Sequence, residues 1–316
     1  MKLDLEAIRV AHDRIRPHVH RTPVLTSERL DAASGASLFF KCENFQKVGA
    51  FKARGATNAV FALTEDVAKR GVATHSSGNH AAALSRAARL RGIPAYIVMP
   101  SNSPKVKVRA VEGYGGRIVF CEPNQRAREE ACARVIGETG ATLIHPFENE
   151  EVMAGQGTLA IEFLEEVPDL DFLIAPVGGG GVLCGTAVAA KSLRPEIKVI
   201  AAEPAGADDA AQSFHGHRLV YQEQKSTIAD GLRTNLGAPN FELMQGYVDD
   251  VVTVSDEAIM AAMRTIWETM KIVVEASGAV PFAAVLEERL ELKGKRVGLV
   301  LTGGNVDLDA LPWMAR

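Results

Sequence analysis

The sequence predicts an α/β protein of two parallel-sheet domains, each sheet covered by helices on both faces. Two observations carry this. Short apolar runs bounded by Gly or Pro alternate with helical stretches along most of the chain, and the runs are apolar throughout rather than at every second position, as in strands buried on both faces. In order, a helix is expected over residues 5–16 and an extended piece over 37–41. Strands follow over 72–77, 95–100, 117–121 and 141–145, with a helix over 81–90 that ends at Gly92, a residue free to take positive φ. The alternation returns in strands over 172–177, 199–202, 251–254 and 297–301. The first set of strands defines a small domain, residues 70–147, inserted into a larger one made of residues 1–69 and 148–316. No repeat or biased linker marks the crossings.

Composition narrows the function. The 316 residues are 47% hydrophobic, enough for a full core, and 35 basic against 39 acidic residues leave no basic footprint for nucleic acid. No apolar run approaches the ~20 residues that cross a bilayer, and the charged start (Lys2, Asp4, Glu6) lacks the apolar core of a secretory signal. Cys42, Cys121, Cys132 and Cys184 form neither a C-x-x-C pair nor a zinc cluster. Dispersed thiols suit a reducing compartment. A cytoplasmic enzyme acting on a small molecule, with no nucleic-acid or membrane partner, is the expectation.

Four motifs carry chemistry. Gly178, Gly179, Gly180 and Gly181 follow an apolar strand and open a helix, so several N–H groups and a helix N-terminus converge on one anion. The sixth position counted from Gly178 is Leu183 and from Gly179 is Cys184, so the dinucleotide pattern fails, and no Gly-Lys-Ser/Thr follows. A phosphomonoester fits; a tight turn without ligand is the alternative. Thr302-Gly303-Gly304-Asn305 is a second turn after a strand, where a crevice opens in a parallel sheet. Ser76-Ser77-Gly78-Asn79-His80 ends a strand and starts a helix, as caps or as a carboxylate grip. Finally, Lys52 follows Phe51 at a helix start. An amine able to form a Schiff base, beside a phosphate cradle with no dinucleotide pattern, points to pyridoxal phosphate.

With Ala154-Gly155-Gln156-Gly157-Thr158, these motifs stand in an order that closely resembles the serine racemase and serine/threonine dehydratase family, which includes 3-hydroxyaspartate dehydratases. These are fold-type II, tryptophan synthase β-like pyridoxal-phosphate enzymes. The resemblance runs from about residue 5 to the end. It implies Lys52 as the Schiff-base lysine and Phe51 beside the cofactor ring. Asn79 would bond the ring 3-oxygen, Gly178 to Gly181 the phosphate, and Thr302 the ring nitrogen. A neutral hydroxyl there leaves that nitrogen largely unprotonated, which favours quick β-elimination. Ser76, Ser77, Gly78, Asn79 and His80 would grip the substrate carboxylate, with Ser77 as the acid–base group opposite the lysine in a racemase.

The resemblance further implies a divalent cation, Mg2+ or Ca2+, held by Glu203, the Ala207 carbonyl and Asp209; read alone, the two acids are surface residues. His145-Pro146-Phe147 departs from the racemases towards the dehydratases, and feedback control through a C-terminal regulatory domain is not expected. Arg128 aligns with an arginine that reaches for the substrate side chain, and would clamp a second carboxylate; a solvated helix arginine is the alternative. The expected protein is a homodimeric dehydratase that converts 3-hydroxyaspartate, threonine or serine to a 2-oxo acid and ammonia. A serine or aspartate racemase, possessing both activities or one, stands as the alternative, and a non-catalytic pyridoxal-phosphate binder as the third.

Overall fold

The computed structural model describes residues 3–314 apart from Ser77 and Pro104, and apart from the side chains of Val106 and Gln125. One sheet contains β1 (Val24–Leu25), β2 (Ser37–Cys42), β7 (Phe172–Pro176), β8 (Lys198–Pro204), β9 (Asp250–Val254) and β10 (Arg296–Leu301), in the order β1-β2-β10-β7-β8-β9. The other contains β3 (Val72–His75), β4 (Ala95–Pro100), β5 (Arg117–Cys121) and β6 (Thr142–Leu143), in the order β5-β4-β3-β6. Every pairing is parallel except that of the short edge strand β1 with β2, which the sequence reading missed.

The larger sheet is buried on both faces, as continuous apolar strands require. Leu173, Val199 and Val251 face helices Glu150–Glu166 and Gly181–Leu193. Ile174, Ile200 and Leu299 face helices Asp256–Met270 and Ala276–Leu286. Strands β7, β8 and β9 are laid down in one direction, and the chain then returns to insert β10 between β2 and β7. That reversal opens a crevice beyond the carboxyl ends of β10 and β7, the ordinary ligand position in open parallel sheets. Tetraglycine follows β7 and Thr302 follows β10, so the switch point brings the two turns together.

Strand β6 is shorter than expected. The Ile144 N–H still donates to the Ala73 carbonyl, but Pro146 has no N–H with which to continue. The smaller sheet's core also crosses the expected boundaries. Ala56, Ala59 and Val60 of helix Lys52–Ala62, and Val152, pack with Ala81, Leu84 and Ile97.

Helix Glu150–Glu166 is the wedge behind the crevice, and its glycines explain the Gly155/Gly157 motif. A methyl on Gly155 would lie 2.6 Å from the Gly55 Cα, and one on Gly157 would lie 2.5 Å from the Gly185 carbonyl oxygen. One glycine therefore seats the helix that starts at Lys52, the other the helix that starts at Gly181.

Candidate active site

Lys52 is the first residue of its helix and Phe51 its N-cap. The Phe51 N–H donates to the Thr302 carbonyl at 3.0 Å, and Ala50 bridges to Gly303, so the lysine is pinned to the turn after β10. The Lys52 ammonium lies 5.0 Å from the Phe51 ring centroid and donates to the Pro146 carbonyl at 2.8 Å. Burial lowers its pKa to about 8. An amine that sheds its proton this readily is suited to attack a carbonyl. Thr302 is buried at the same turn, 3% exposed.

The tetraglycine loop fits a phosphate group. No carbonyl or side chain of the described residues accepts from the amides of Gly178 to Gly181 outside the helix that follows. Gly180 adopts φ 94°, and helix Gly181–Leu193 starts at the next residue. A methyl on Gly179 would fall 2.3 Å from the Phe147 ring. Free amides, a helix N-terminus and the absence of Cβ atoms together form an anion cradle. These residues therefore fit pyridoxal phosphate, with Lys52 available for its carbonyl.

The smaller sheet supplies the opposite wall. Gly78 caps helix Asn79–Arg91, and a methyl there would meet nothing within 4 Å. Ser76 and Gly78 lie in the same turn, where the Gly78 N–H donates to the Ser76 hydroxyl at 3.4 Å. Ser77 lies outside the described residues. His80 is buried and its Nε2 pairs with the Ile144 carbonyl at 3.0 Å. Burial, with the Lys52 charge second, lowers its pKa to about 3. His145 is held at about 4 by burial, then by His75 and Lys52. Its ring stands 4.6 Å from that of Phe147 and 5.7 Å from that of His75. Beyond His75 lies Arg128, whose charge adds to the burial that lowers the His75 pKa. The Arg128 Nε is buried and has no hydrogen-bond partner among the described residues. Neutral histidines thus line the wall between Lys52 and a guanidinium.

Sequence reasoning missed Glu275, which closes the site. Its carboxyl accepts from Asn79 Nδ2 at 2.9 Å and from the Asn305 N–H at 3.2 Å, and Asn305 Nδ2 donates to Asn79 Oδ1 at 2.9 Å. Burial raises its pKa to about 8, with Asp230 adding to the effect, so it is a neutral acid at pH 7. The only signal was a lone acid in the apolar run Val273-Val274-Glu275-Ala276. Arg54 was also passed over. Fully buried, it makes bidentate pairs with Glu43 and Glu162, and Lys41 donates to Glu162 at 2.7 Å. This network fixes the first turn of the Lys52 helix to β2 and to helix Glu150–Glu166.

Glu203, at the end of β8, and Asp209, which starts helix Asp209–Gly216, are both fully buried, and so is Ala207 between them. They are not surface acids. Glu203 accepts from the Ala210 and Ala211 N–H groups at 3.1 and 2.8 Å. Asp209 accepts from the Leu236 N–H at 2.7 Å on one oxygen and from the Lys225 ammonium on the other. With that ammonium in place the set does not fit a divalent cation. No group of three or more His, Cys, Asp or Glu among the described residues is arranged for a metal.

Comparison with known proteins agrees with this geometry. Residues 15–303 match the family model described as pyridoxal-phosphate dependent enzyme. The chain is 51% identical over 313 residues to a serine racemase of Arabidopsis thaliana, covering 98% of this chain and 95% of that protein. It is also 51% identical over 308 residues to a beta-hydroxyaspartate dehydratase of Paracoccus denitrificans, covering 98% of each. The solved structure of maize serine racemase superposes with a TM-score of 0.96 at 48% identity, covering 100% of this chain and 97% of that one. Matches of this extent, which include the Lys52 helix and the glycine cradle, make the chain a member of the pyridoxal-phosphate-dependent enzyme family, of fold-type II.

Proposed function

We propose that this enzyme is an ammonia-lyase that eliminates water from a β-hydroxy-α-amino acid with a second carboxylate, 3-hydroxyaspartate being the simplest, to give a 2-oxo acid and ammonia. The observation that carries the acidic substrate is Arg128, a guanidinium beyond the histidines of the crevice wall with a buried Nε that nothing among the described residues satisfies. An unpaired buried donor is costly, and a ligand carboxylate would satisfy it. The 51% identity to a beta-hydroxyaspartate dehydratase supports the same reading.

Pyridoxal phosphate, when bound, supplies the electron sink for the pair released from the α-carbon. The chain's own residues bind and orient the reactants and move the α-proton. Gly178 to Gly181 hold the phosphate through their amides, and Asn79 and Thr302 orient the ring. Lys52, depressed to about 8 by burial, takes the α-proton. The turn from Ser76 to His80 receives the α-carboxylate at a helix N-terminus. His80 stays uncharged and holds the turn to Ile144. Glu275 fixes Asn79 against Asn305.

Racemisation is the second reading. The presence of Ser77 in the sequence between Ser76 and Gly78 and the 51% identity to a serine racemase favour it. We also ascribe to this enzyme a cytoplasmic, homodimeric existence, which sedimentation and fractionation would check. The deciding experiment incubates purified enzyme with 3-hydroxyaspartate stereoisomers, threonine, serine and aspartate, following 2-oxo acid and enantiomer ratio together. Oxaloacetate from 3-hydroxyaspartate well ahead of pyruvate from serine is the expected result. Enantiomer interconversion without 2-oxo acid would replace the lyase reading by the racemase one.

A further inference from the structure

The buried carboxylates of Glu203 and Asp209 carry an inference that does not depend on the substrate. The Lys225 side chain is 6% exposed and Asp209 is fully buried, so their ion pair is screened from water. The strap that delivers the lysine is anchored. The Ser226 N–H donates to the Gly206 carbonyl at 2.9 Å, and a methyl on Gly206 would lie 1.7 Å from the Ser226 carbonyl oxygen. Next along, the Thr227 hydroxyl and the Ile228 N–H both donate to Asp256, at 2.5 and 3.0 Å. An ammonium on such a strap and a divalent ion on the same carboxylate would repel at contact distance. One excludes the other.

We propose that the Lys225 ammonium is the resident cation of this site, in place of a divalent ion. Its effect reaches the phosphate cradle. The second Asp209 oxygen holds the Leu236 N–H, Leu236 lies against Gly180, and the Gly237 N–H donates to the Gly179 carbonyl at 3.2 Å. Pairing Asp209 therefore holds the loop that backs the glycines.

The test uses the holoenzyme. Metal content is measured by mass spectrometry, and melting temperature is followed with a strong chelator or with millimolar Mg2+, Ca2+ or Mn2+. The wild-type protein should contain no stoichiometric divalent metal and should not respond to either treatment. Lys225→Ala and Lys225→Met should each melt about 5 °C lower, having left Asp209 buried and unpaired. Added metal should raise only Lys225→Ala, whose emptied space exposes two carboxylates and a carbonyl. A fall in both variants supports the proposal whether or not metal restores the alanine protein. Bound divalent metal in the wild type, a wild-type shift with chelator or metal, or an unchanged melting temperature in both variants would overturn it. If neither variant folds, the wild-type measurements decide alone.

Discussion

The roles proposed for Lys52 and Arg128 are each testable by themselves. Since burial brings the Lys52 amine to about 8, capture of pyridoxal phosphate by stripped protein should speed up as pH rises through about 8 and level off above it. Stopped-flow absorbance would show this; a rise continuing towards the ordinary lysine range would mean an exposed amine. Lys52→Ala should bind the cofactor without any borohydride-fixable bond. For Arg128, losing a clamp on a second carboxylate in a partly desolvated crevice should cost about 2–4 kcal/mol, or roughly 30- to 1000-fold in kcat/KM. Arg128→Ala should show that loss on 3-hydroxyaspartate and leave serine nearly unchanged. Equal losses on both would make Arg128 a support of the fold.

At the scale of elements, helix Glu150–Glu166 positions two helix starts, those at Lys52 and at Gly181. Gly155→Ala would force a methyl against the Gly55 backbone, and overpacking of this kind costs about 1–3 kcal/mol. Melting temperature should fall and cofactor retention with it, because the Lys52 helix must move. Gly137 provides the control. It is exposed in helix Gln125–Thr139, and a methyl there meets nothing within 4 Å. Gly137→Ala should stabilise by about 0.5–1 kcal/mol through the entropy of the unfolded chain. One substitution thus has opposite signs in two helices, and only the packing decides which.

Over the whole molecule, the buried His80 and the half-buried His145 couple stability to pH. His80 and His145 have folded-state values of about 3 and about 4 against an ordinary 6.5. Because those values are depressed, the unfolded chain binds protons first as pH falls. Their contribution is intact above about 6.5 and is lost progressively below it. The two histidines together should account for a loss of roughly 6 kcal/mol in urea unfolding between pH 7 and pH 4. His145→Asn should flatten part of that slope, and a slope identical to wild type would show that His145 titrates normally.

What could be read from the sequence was what the backbone encodes locally. Continuous apolar runs mark strands buried on both faces, and glycines after a strand mark a turn with free amides. The order of the motifs around Lys52, Asn79, Gly178 and Thr302 marked the family, because each motif is a contiguous stretch whose chemistry depends on its own neighbours. The edge strand β1 escaped because two residues show no periodicity. Only the tertiary structure joined Glu275 to Asn79 across 196 residues, placed Arg128 beyond the histidines, and seated Lys225 on Asp209. Composition gives no sign of a buried charge's partner: an acid in an apolar run reads the same whether metal, lysine or proton neutralises it. Where the chain returns makes that choice, since in a low-dielectric interior the nearest opposite charge prevails.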